Sequence, residues 1–227
     1  MSVNSARTRP IPDQPLRYKT SFMQRTLDLV ARGYVQWVGG TVKVGRLTRL
    51  RAKFAANYGT AADEAERRRM SRHGVPRAWI VIHAPKGAAR AYWLLLAQRE
   101  HPATVLEHTA DARARDGRVQ IPVQATEWAD YELIRIDGTW TWRMTKERRQ
   151  AWRDRIHAAV RQPDPEQRRR DIRQVAWSLA RVPGFRGIRA DAKALVRLTR
   201  EDWRRVHSGP MPAKLRNPGW VRRVRHQ

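Results

Sequence analysis

The sequence contains no cysteine, which excludes disulfides, iron–sulfur clusters, thiolate zinc sites and cysteine nucleophiles. It also lacks long apolar runs. The longest, such as Ala91–Ala97, are far shorter than the ~20 residues that a membrane span requires. The N-terminal stretch has no apolar signal core. We therefore expect a cytoplasmic protein with no membrane partner.

Acidic residues are scarce: the 227-residue chain has 21 acidic and 47 basic residues, which gives a formal net charge of +26. Residues 1–73 carry 15 basic and 5 acidic residues, residues 74–144 carry 9 and 8, and residues 145–227 carry 23 and 8. Repulsion on this scale opposes compaction, and a bound polyanion relieves it. Nucleic acid is the commonest polyanion of a cytosol, and an anionic membrane surface is the rival. The charge predicts a nucleic-acid partner.

Apolar residues make up 41% of the chain, enough for one large domain or two small ones. Their periodicity predicts an α+β fold with one antiparallel-rich sheet packed by helices. We predict a disordered basic N-terminus over residues 1–17 and an α+β core domain over 18–144. A helical C-terminal region over 145–207 and a basic tail over 208–227 follow.

Two apolar segments of the central third, Ala78–His83 and Ala91–Ala97, are apolar on both faces, which predicts central strands. Pro102–Arg115 has the pattern of a helix that packs through Val105 and Leu106. The order of predicted elements contains a βαββαβ series, the ferredoxin-like arrangement.

Glycines mark two places in the sheet region. Gly39 and Gly40 interrupt a segment of strand composition and indicate a hairpin, a bulge or a close backbone approach. Asp137-Gly138 separates two alternating segments and predicts a two-residue type I′ hairpin. In that register Leu133 faces Trp142.

Basic residues recur at spacings of four, four, three and four along the last predicted helix, about residues 188–206. They are Arg189, Lys193, Arg197, Arg200 and Arg204. At ~3.6 residues per turn they share one face, away from most of the apolar stripe. Such a row is also typical of a solvated helix face, but few carboxylates accompany this one. We predict that it is the main nucleic-acid contact.

Other basic groups are candidates for weaker contacts. Arg46, Arg49 and Lys53 form a shorter row, which we expect to assist. In the tail, Arg222 and Arg223 follow Trp220, and we expect this segment to clamp the ligand. Two further arginine clusters complete the set: Arg67, Arg68, Arg69 and Arg72, and Arg168, Arg169, Arg170 and Arg173.

The ten tryptophans offer stacking surfaces for single-stranded bases where they are exposed. Seven lie on predicted apolar faces and are expected in the core: Trp79, Trp93, Trp140, Trp142, Trp152, Trp177 and Trp203. Trp37 and Trp220 are freer, and Trp220 is the predicted aromatic contact.

Motifs for catalysis are missing. The seven histidines form no HxH, HExxH or HxxxH pair, so we expect no metal site and no cofactor. Neither a phosphate-binding glycine loop nor a nucleophile motif is present. These absences favour a binding protein over an enzyme. The ferredoxin-like order with basic helices resembles CRISPR-RNA-processing nucleases, which need no metal. That resemblance implies a metal-independent endoribonuclease as an alternative, with His83 or His108 as its base.

Three segments, residues 17–42, 91–98 and 129–145, resemble uncharacterised proteins encoded on bacterial plasmids and integrative conjugative elements. The resemblance involves no catalytic motif and assigns no functional residue. It implies a role near mobile DNA, and so favours DNA over RNA. We expect an accessory protein of a bacterial mobile element, held on duplex DNA mainly through phosphates. A structural subunit of a nucleoprotein complex is the remaining alternative.

Overall fold

Helices and antiparallel strands alternate along the chain, which confirms the predicted α+β class. The computed structural model describes residues 15–122 and 129–220. The chain forms two units, one ending at Arg118 and one spanning Val119–Arg222. Most of the predicted N-terminal segment, residues 1–17, lies outside the described residues.

The first unit is built from a four-stranded sheet and the helices around it. Its elements are α1 (Lys19–Ala31), β1 (Gln36–Lys43), α2 (Leu47–Tyr58), α3 (Glu64–Arg72), β2 (Ala78–His83), β3 (Arg90–Ala97), α4 (Ala103–Leu106) and β4 (Ala110–Asp111). A 3-10 turn, Val44–Arg46, joins β1 to α2. The strand order is β2-β3-β1-β4, and every neighbouring pair is antiparallel. From β1 to β4 the elements form a βαββαβ series, with both α2 and α3 in the first helical position. Its last strand, β4, lies inside the segment that the sequence predicts as a helix.

The sheet of the first unit is covered on both faces. The Phe22 ring of α1 lies 5.6 Å from the Tyr92 ring, and the Phe54 ring of α2 lies 5.2 Å from the Trp93 ring. Tyr92 and Trp93 are successive residues of β3, so they point to opposite faces. This double cover explains why β2 is apolar throughout, although β2 lies at the edge of the sheet and not at its centre as predicted.

The predicted helix over 102–115 is wrong for most of its length. Only Ala103–Leu106 is helical, and Ala110–Asp111 forms the short strand β4 beside β1. Val105 and Leu106 are 74% and 67% exposed, while Ala103 is buried. Ala103 takes the inner position of this single turn, and the apolar pair that was expected to pack lies at the surface.

Gly39 and Gly40 mark a close approach and not a hairpin. Both lie inside β1, paired with Leu94 and Trp93 of β3. A Cβ at Gly39 would lie 2.6 Å from Leu94 Cδ2 and 2.9 Å from the Trp93 carbonyl oxygen. The Trp93 indole lies 3.3 Å from the Cβ position of Gly40. The paired glycines therefore make room for the large side chains of β3.

The second unit combines a three-stranded sheet with three long helices. Its elements are β5 (Gln120–Pro122), β6 (Ala129–Ile136), β7 (Thr139–Met144), α5 (Lys146–Arg161), α6 (Pro165–Ala180) and α7 (Arg186–Val206). The strand order is β5-β6-β7. The β6–β7 hairpin has the predicted register, including Leu133 opposite Trp142. Positive φ angles of 47° at Asp137 and 76° at Gly138 fit the predicted type I′ turn.

The hairpin belongs with the C-terminal helices and not with the first sheet. The start of α7 packs directly on β7, where a Cβ at Gly187 would lie 2.5 Å from the Trp142 carbonyl oxygen. Farther along α7, Asp191 accepts a hydrogen bond of 2.9 Å from the Met144 backbone N–H. The described residues therefore form two separate sheets where one was expected, and the two units divide after Arg118, whereas the division expected from the sequence falls after residue 144.

Candidate nucleic-acid interface

The predicted basic row lies on the outer face of α7. The structure exposes four of its members, Lys193, Arg197, Arg200 and Arg204, and leaves Arg189 half-buried. The opposite face is buried through the predicted apolar residues, except that Val206 is 42% exposed. The strong segregation of charged from apolar side chains along α7 places these cations on one surface.

Two acidic residues of α7 point inward, away from this row. Asp191 pairs with Arg143 of β7 at 3.3 Å. Asp202 is fully buried and pairs with Arg161 and His157 of α5. These carboxylates hold α7 against its neighbours and do not neutralise the row.

Glu201 is the acidic residue that reaches the row. Its carboxylate lies 3.7 Å from Arg197 Nε, and both side chains are largely exposed. An exposed pair of this kind is worth little free energy and exchanges readily for another anion. Within residues 15–122 and 129–220, the other four cations of the row make no ion pair.

The basic tail folds back along α7. Arg200 donates a hydrogen bond of 3.4 Å to the Leu215 carbonyl, and Arg189 donates one of 3.0 Å to the Pro218 carbonyl. Later tail residues thus meet earlier residues of the helix, so the two segments run in opposite directions. Sequence reasoning did not foresee this path, because the tail has no periodicity that aligns it with α7.

Open grooves separate the tail from the helix. One of about 450 Å³ is lined by Lys193, Arg197, Arg200 and Asn217. A second of about 430 Å³ includes Arg200, Arg204 and Lys214. The tail therefore leaves the row open to solvent and adds the exposed cation of Lys214 to its border.

Trp220, the predicted aromatic contact, lies at the end of the described tail. It is 67% exposed, and the Arg189 guanidinium carbon lies 3.6 Å from its ring centroid. This is a cation–π contact between the tail and the first member of the row. Arg222 and Arg223 lie outside the described residues.

The shorter predicted row, Arg46, Arg49 and Lys53, lies in the first unit and is exposed there. Lys53 Nζ lies 3.4 Å from the carboxylate of Glu107, which also accepts a hydrogen bond of 2.6 Å from the Tyr58 hydroxyl. Burial together with that hydrogen bond raises the pKa of Tyr58 to about 12. In this shorter row, Arg46 and Arg49 therefore make no ion pair among the described residues.

The cluster that begins at Arg67 is divided by burial. Arg67 itself is 6% exposed and donates hydrogen bonds to the carbonyls of Thr60, Ala62 and Ala78. Its guanidinium carbon lies 3.5 Å from the Trp79 ring centroid, and burial lowers its pKa to about 10. Arg67 is therefore a structural residue, while Arg68, Arg69 and Arg72 remain at the surface.

The cluster on α6 is held mostly by local hydrogen bonds. Arg169 pairs with Glu166 at 3.0 Å, Arg168 donates to the Gln162 carbonyl at 2.8 Å, and Arg170 donates to Gln167 at 2.8 Å. Arg173 is exposed and makes no ion pair within the described ranges.

Trp177 is exposed, contrary to the prediction that it lies in the core. It is 55% exposed, and the Arg181 guanidinium carbon lies 3.9 Å from its ring centroid. The apolar stripe of α6 is complete without it, through Ile172, Val175 and Leu179. Counting the helix positions from that stripe places Trp177 on the outer face, which is the signal that sequence reasoning missed.

The two histidines proposed as bases differ in setting. His83 Nδ1 lies 2.9 Å from the Leu16 carbonyl, its ring packs on Phe22, and burial lowers its pKa. His108 is exposed and has a φ of 47°. Neither arrangement assigns a catalytic role, and the endoribonuclease alternative stays a prediction.

The described part of the chain has no group of three or more His, Asp or Glu side chains placed to hold a metal ion. None of its helices combines the length and apolarity needed to cross a membrane. Comparison with protein-family models, with curated proteins and with solved structures finds no match to this chain.

Proposed function

We propose that this protein binds nucleic acid through phosphate contacts made by the basic row of α7. One observation carries the proposal: five cations share one helix face, and only Arg197 has a carboxylate partner among the described residues. Unpaired surface cations are suited to phosphates, whose binding releases condensed counterions.

The length of the row suits a nucleic-acid backbone. From Arg189 to Arg204 the helix rises roughly 22 Å, because each residue adds ~1.5 Å. A strand of B-form DNA carries about six phosphates over that distance. The row is therefore long enough to reach several successive phosphates.

We further propose that the ligand is DNA and that the protein is an accessory factor of a bacterial mobile element. This step rests on the resemblance of three segments to plasmid- and conjugative-element-encoded proteins. Other subunits of a nucleoprotein complex are a second class of proposed partner. Co-purification of another protein at a fixed stoichiometry would support this alternative.

The test removes the two row cations that hold no other contact in the described structure, in the double variant Lys193→Ala with Arg204→Ala. We expect weaker binding to every DNA sequence alike. The plot of log affinity against log salt becomes shallower by about two units, because each lost phosphate contact contributes about 0.9. Titrations of duplex DNA by fluorescence anisotropy at several salt concentrations measure both quantities.

The matched control is Lys146→Ala with Arg153→Ala on α5. It removes one lysine and one arginine, both exposed, and so changes the net charge equally. If both double variants flatten the salt dependence to the same degree, binding follows total charge and the α7 row is not the interface. If the unaltered protein retards no DNA or RNA in dilute buffer, the proposed function is wrong.

A further inference from the structure

Two tryptophans of the second unit are exposed, and each is stacked with an arginine. Trp177 is 55% exposed beneath Arg181, and Trp220 is 67% exposed beside Arg189. The other tryptophans in the described ranges are buried or half-buried. An exposed indole leaves a large apolar surface in water, and Trp177 is not among the buried residues of α6.

On α6 the exposed indole belongs to a continuous stripe. Arg170, Arg173, Trp177 and Arg181 follow one another at spacings of three, four and four, so they share one helix face. That face is opposite the buried residues of α6. The result is an aromatic ring between cations along about 16 Å of helix, a pattern suited to a base with phosphates on either side.

We propose that Trp177, between Arg173 and Arg181, stacks an unpaired base, and that Trp220 on Arg189 does the same. The second unit would then bind a single-stranded segment of nucleic acid. The inference rests on the proposed function, which it refines: the α7 row supplies phosphate contacts, and the two indoles supply contacts to bases.

The chemistry requires unpaired bases because duplex bases are already stacked on each other and present only their edges in the grooves. An indole accepts the flat face of any base, so this contact carries little sequence preference. The guanidinium occupies one face of each ring and holds the indole in place. The exposed part of each indole, 55% for Trp177 and 67% for Trp220, is the surface that the base would cover, with the guanidinium charge close to the strand.

The experiment compares strands that differ only in their bases. End-labelled oligonucleotides of about 20 nucleotides are used as DNA, as RNA and as DNA in which most nucleotides are abasic. The abasic strand keeps every phosphate and loses the stacking groups. We expect the full chain to bind the normal strands at least about 5-fold more tightly than the abasic strand at equal salt.

Trp177→Ala should weaken binding of the normal strand by about 5-fold or more and leave the abasic strand unaffected. Trp177→Phe should retain most of the affinity, since a phenyl ring still stacks. Tyr18→Ala is the matched control, because Tyr18 is a 73% exposed aromatic residue of the first unit. Weaker binding of DNA, of RNA or of both by Trp177→Ala supports the inference and identifies the kind of strand that the protein binds.

Equal binding of normal and abasic strands overturns the inference and leaves phosphate binding by α7 intact. The inference is also overturned if Trp177→Ala weakens binding of normal and abasic strands equally, or if it weakens only the binding of anionic phospholipid vesicles. If the chain binds neither these strands nor duplex DNA at low salt, the proposed function fails along with the inference, whereas binding of duplex DNA alone overturns only the inference. The two failures are therefore distinguishable.

Discussion

Asp202 is a carboxylate without solvent exposure, and its partners lie on another helix. Arg161 donates a hydrogen bond of 3.2 Å to Asp202 Oδ2, and His157 Nδ1 contacts the same oxygen. Burial opposes ionisation, but the hydrogen bonds from Arg161 and His157 outweigh it and lower the pKa of Asp202. The charged carboxylate thus connects α7 to α5 beneath the basic row.

This shift predicts how stability depends on pH. A carboxyl group whose pKa is lower in the folded state stabilises the fold above its unfolded pKa of about 3.9. That contribution is lost as the pH falls through the folded value. Asp202→Asn should therefore cost about 2–3 kcal/mol at pH 7, below the cost of a fully buried pair because both partners are partly exposed.

Urea unfolding at about pH 7 and about pH 3 measures the effect. The difference between the unaltered protein and Asp202→Asn should shrink at the acidic pH, because that pH lies below the unfolded pKa of about 3.9, where the unfolded chain binds a proton more readily than the folded carboxylate does. Asp154→Asn on α5 is the control, since Asp154 is exposed and should shift stability by less than about 0.5 kcal/mol. Equal effects of the two substitutions would contradict a role for Asp202 in joining the helices.

Among the elements, the contact between α7 and β7 depends on a glycine. Gly187 lies in the first turn of α7, and the Trp142 carbonyl oxygen, the Arg143 Cβ and the Thr141 methyl group surround the position of its missing Cβ. Its backbone N–H also donates a hydrogen bond of 3.1 Å to the Thr141 hydroxyl, which holds the start of α7 close to β7. The helix and the strand therefore approach to a distance that only glycine permits.

Gly187→Ala should destabilise the second unit by about 1–3 kcal/mol, the usual cost of overpacking, although alanine is the better helix former. Urea unfolding followed by tryptophan fluorescence measures this loss. Gly209→Ala is the control, because no atom lies within 4 Å of its added Cβ. An unchanged unfolding midpoint for Gly187→Ala would mean that the helix moves away from β7 without cost.

The elements that the sequence predicts correctly are those with a strong local pattern. Asp137-Gly138 defines both the turn and the register of its hairpin, because a two-residue loop leaves one pairing. The side chains of Thr145 and Asp164 accept hydrogen bonds from the first turns of α5 and α6, as is usual for Thr and Asp at a helix start. The basic row of α7 follows from helical periodicity alone.

The errors arise where distant parts of the chain decide the outcome. β4 has only two residues, which is too short for a strand periodicity in the sequence, and it is defined by its pairing with β1. β2 pairs with a strand on one side only and lies at the edge of its sheet, which a run of apolar residues cannot distinguish from a central strand. Arg67 lies within a charged run, but in the interior it donates to three carbonyls, those of Thr60 and Ala62 in the loop before α3 and that of Ala78 in β2.

At the scale of the whole molecule, the excess charge is shared by both units. Residues 1–118 carry 22 basic and 9 acidic residues, and residues 119–222 carry 23 and 12. The nearly neutral central third of the sequence is thus divided between two basic units and does not form an uncharged layer. Each unit experiences repulsion among its own cations, which lowers its stability.

Salt should therefore stabilise this protein. Raising sodium chloride from about 10 mM to about 150 mM shortens the screening length from about 30 Å to about 8 Å. Long-range repulsion among the exposed arginines then weakens, whereas buried pairs such as Asp202 with Arg161 are screened much less. We expect the melting temperature to rise by several degrees, as measured by differential scanning fluorimetry or calorimetry.

At low salt, a single-stranded oligonucleotide should also raise the melting temperature, because a ligand of the folded state stabilises that state. A melting temperature that falls with salt would show that surface ion pairs outweigh the repulsion, and the charge argument for a polyanion partner would lose its basis.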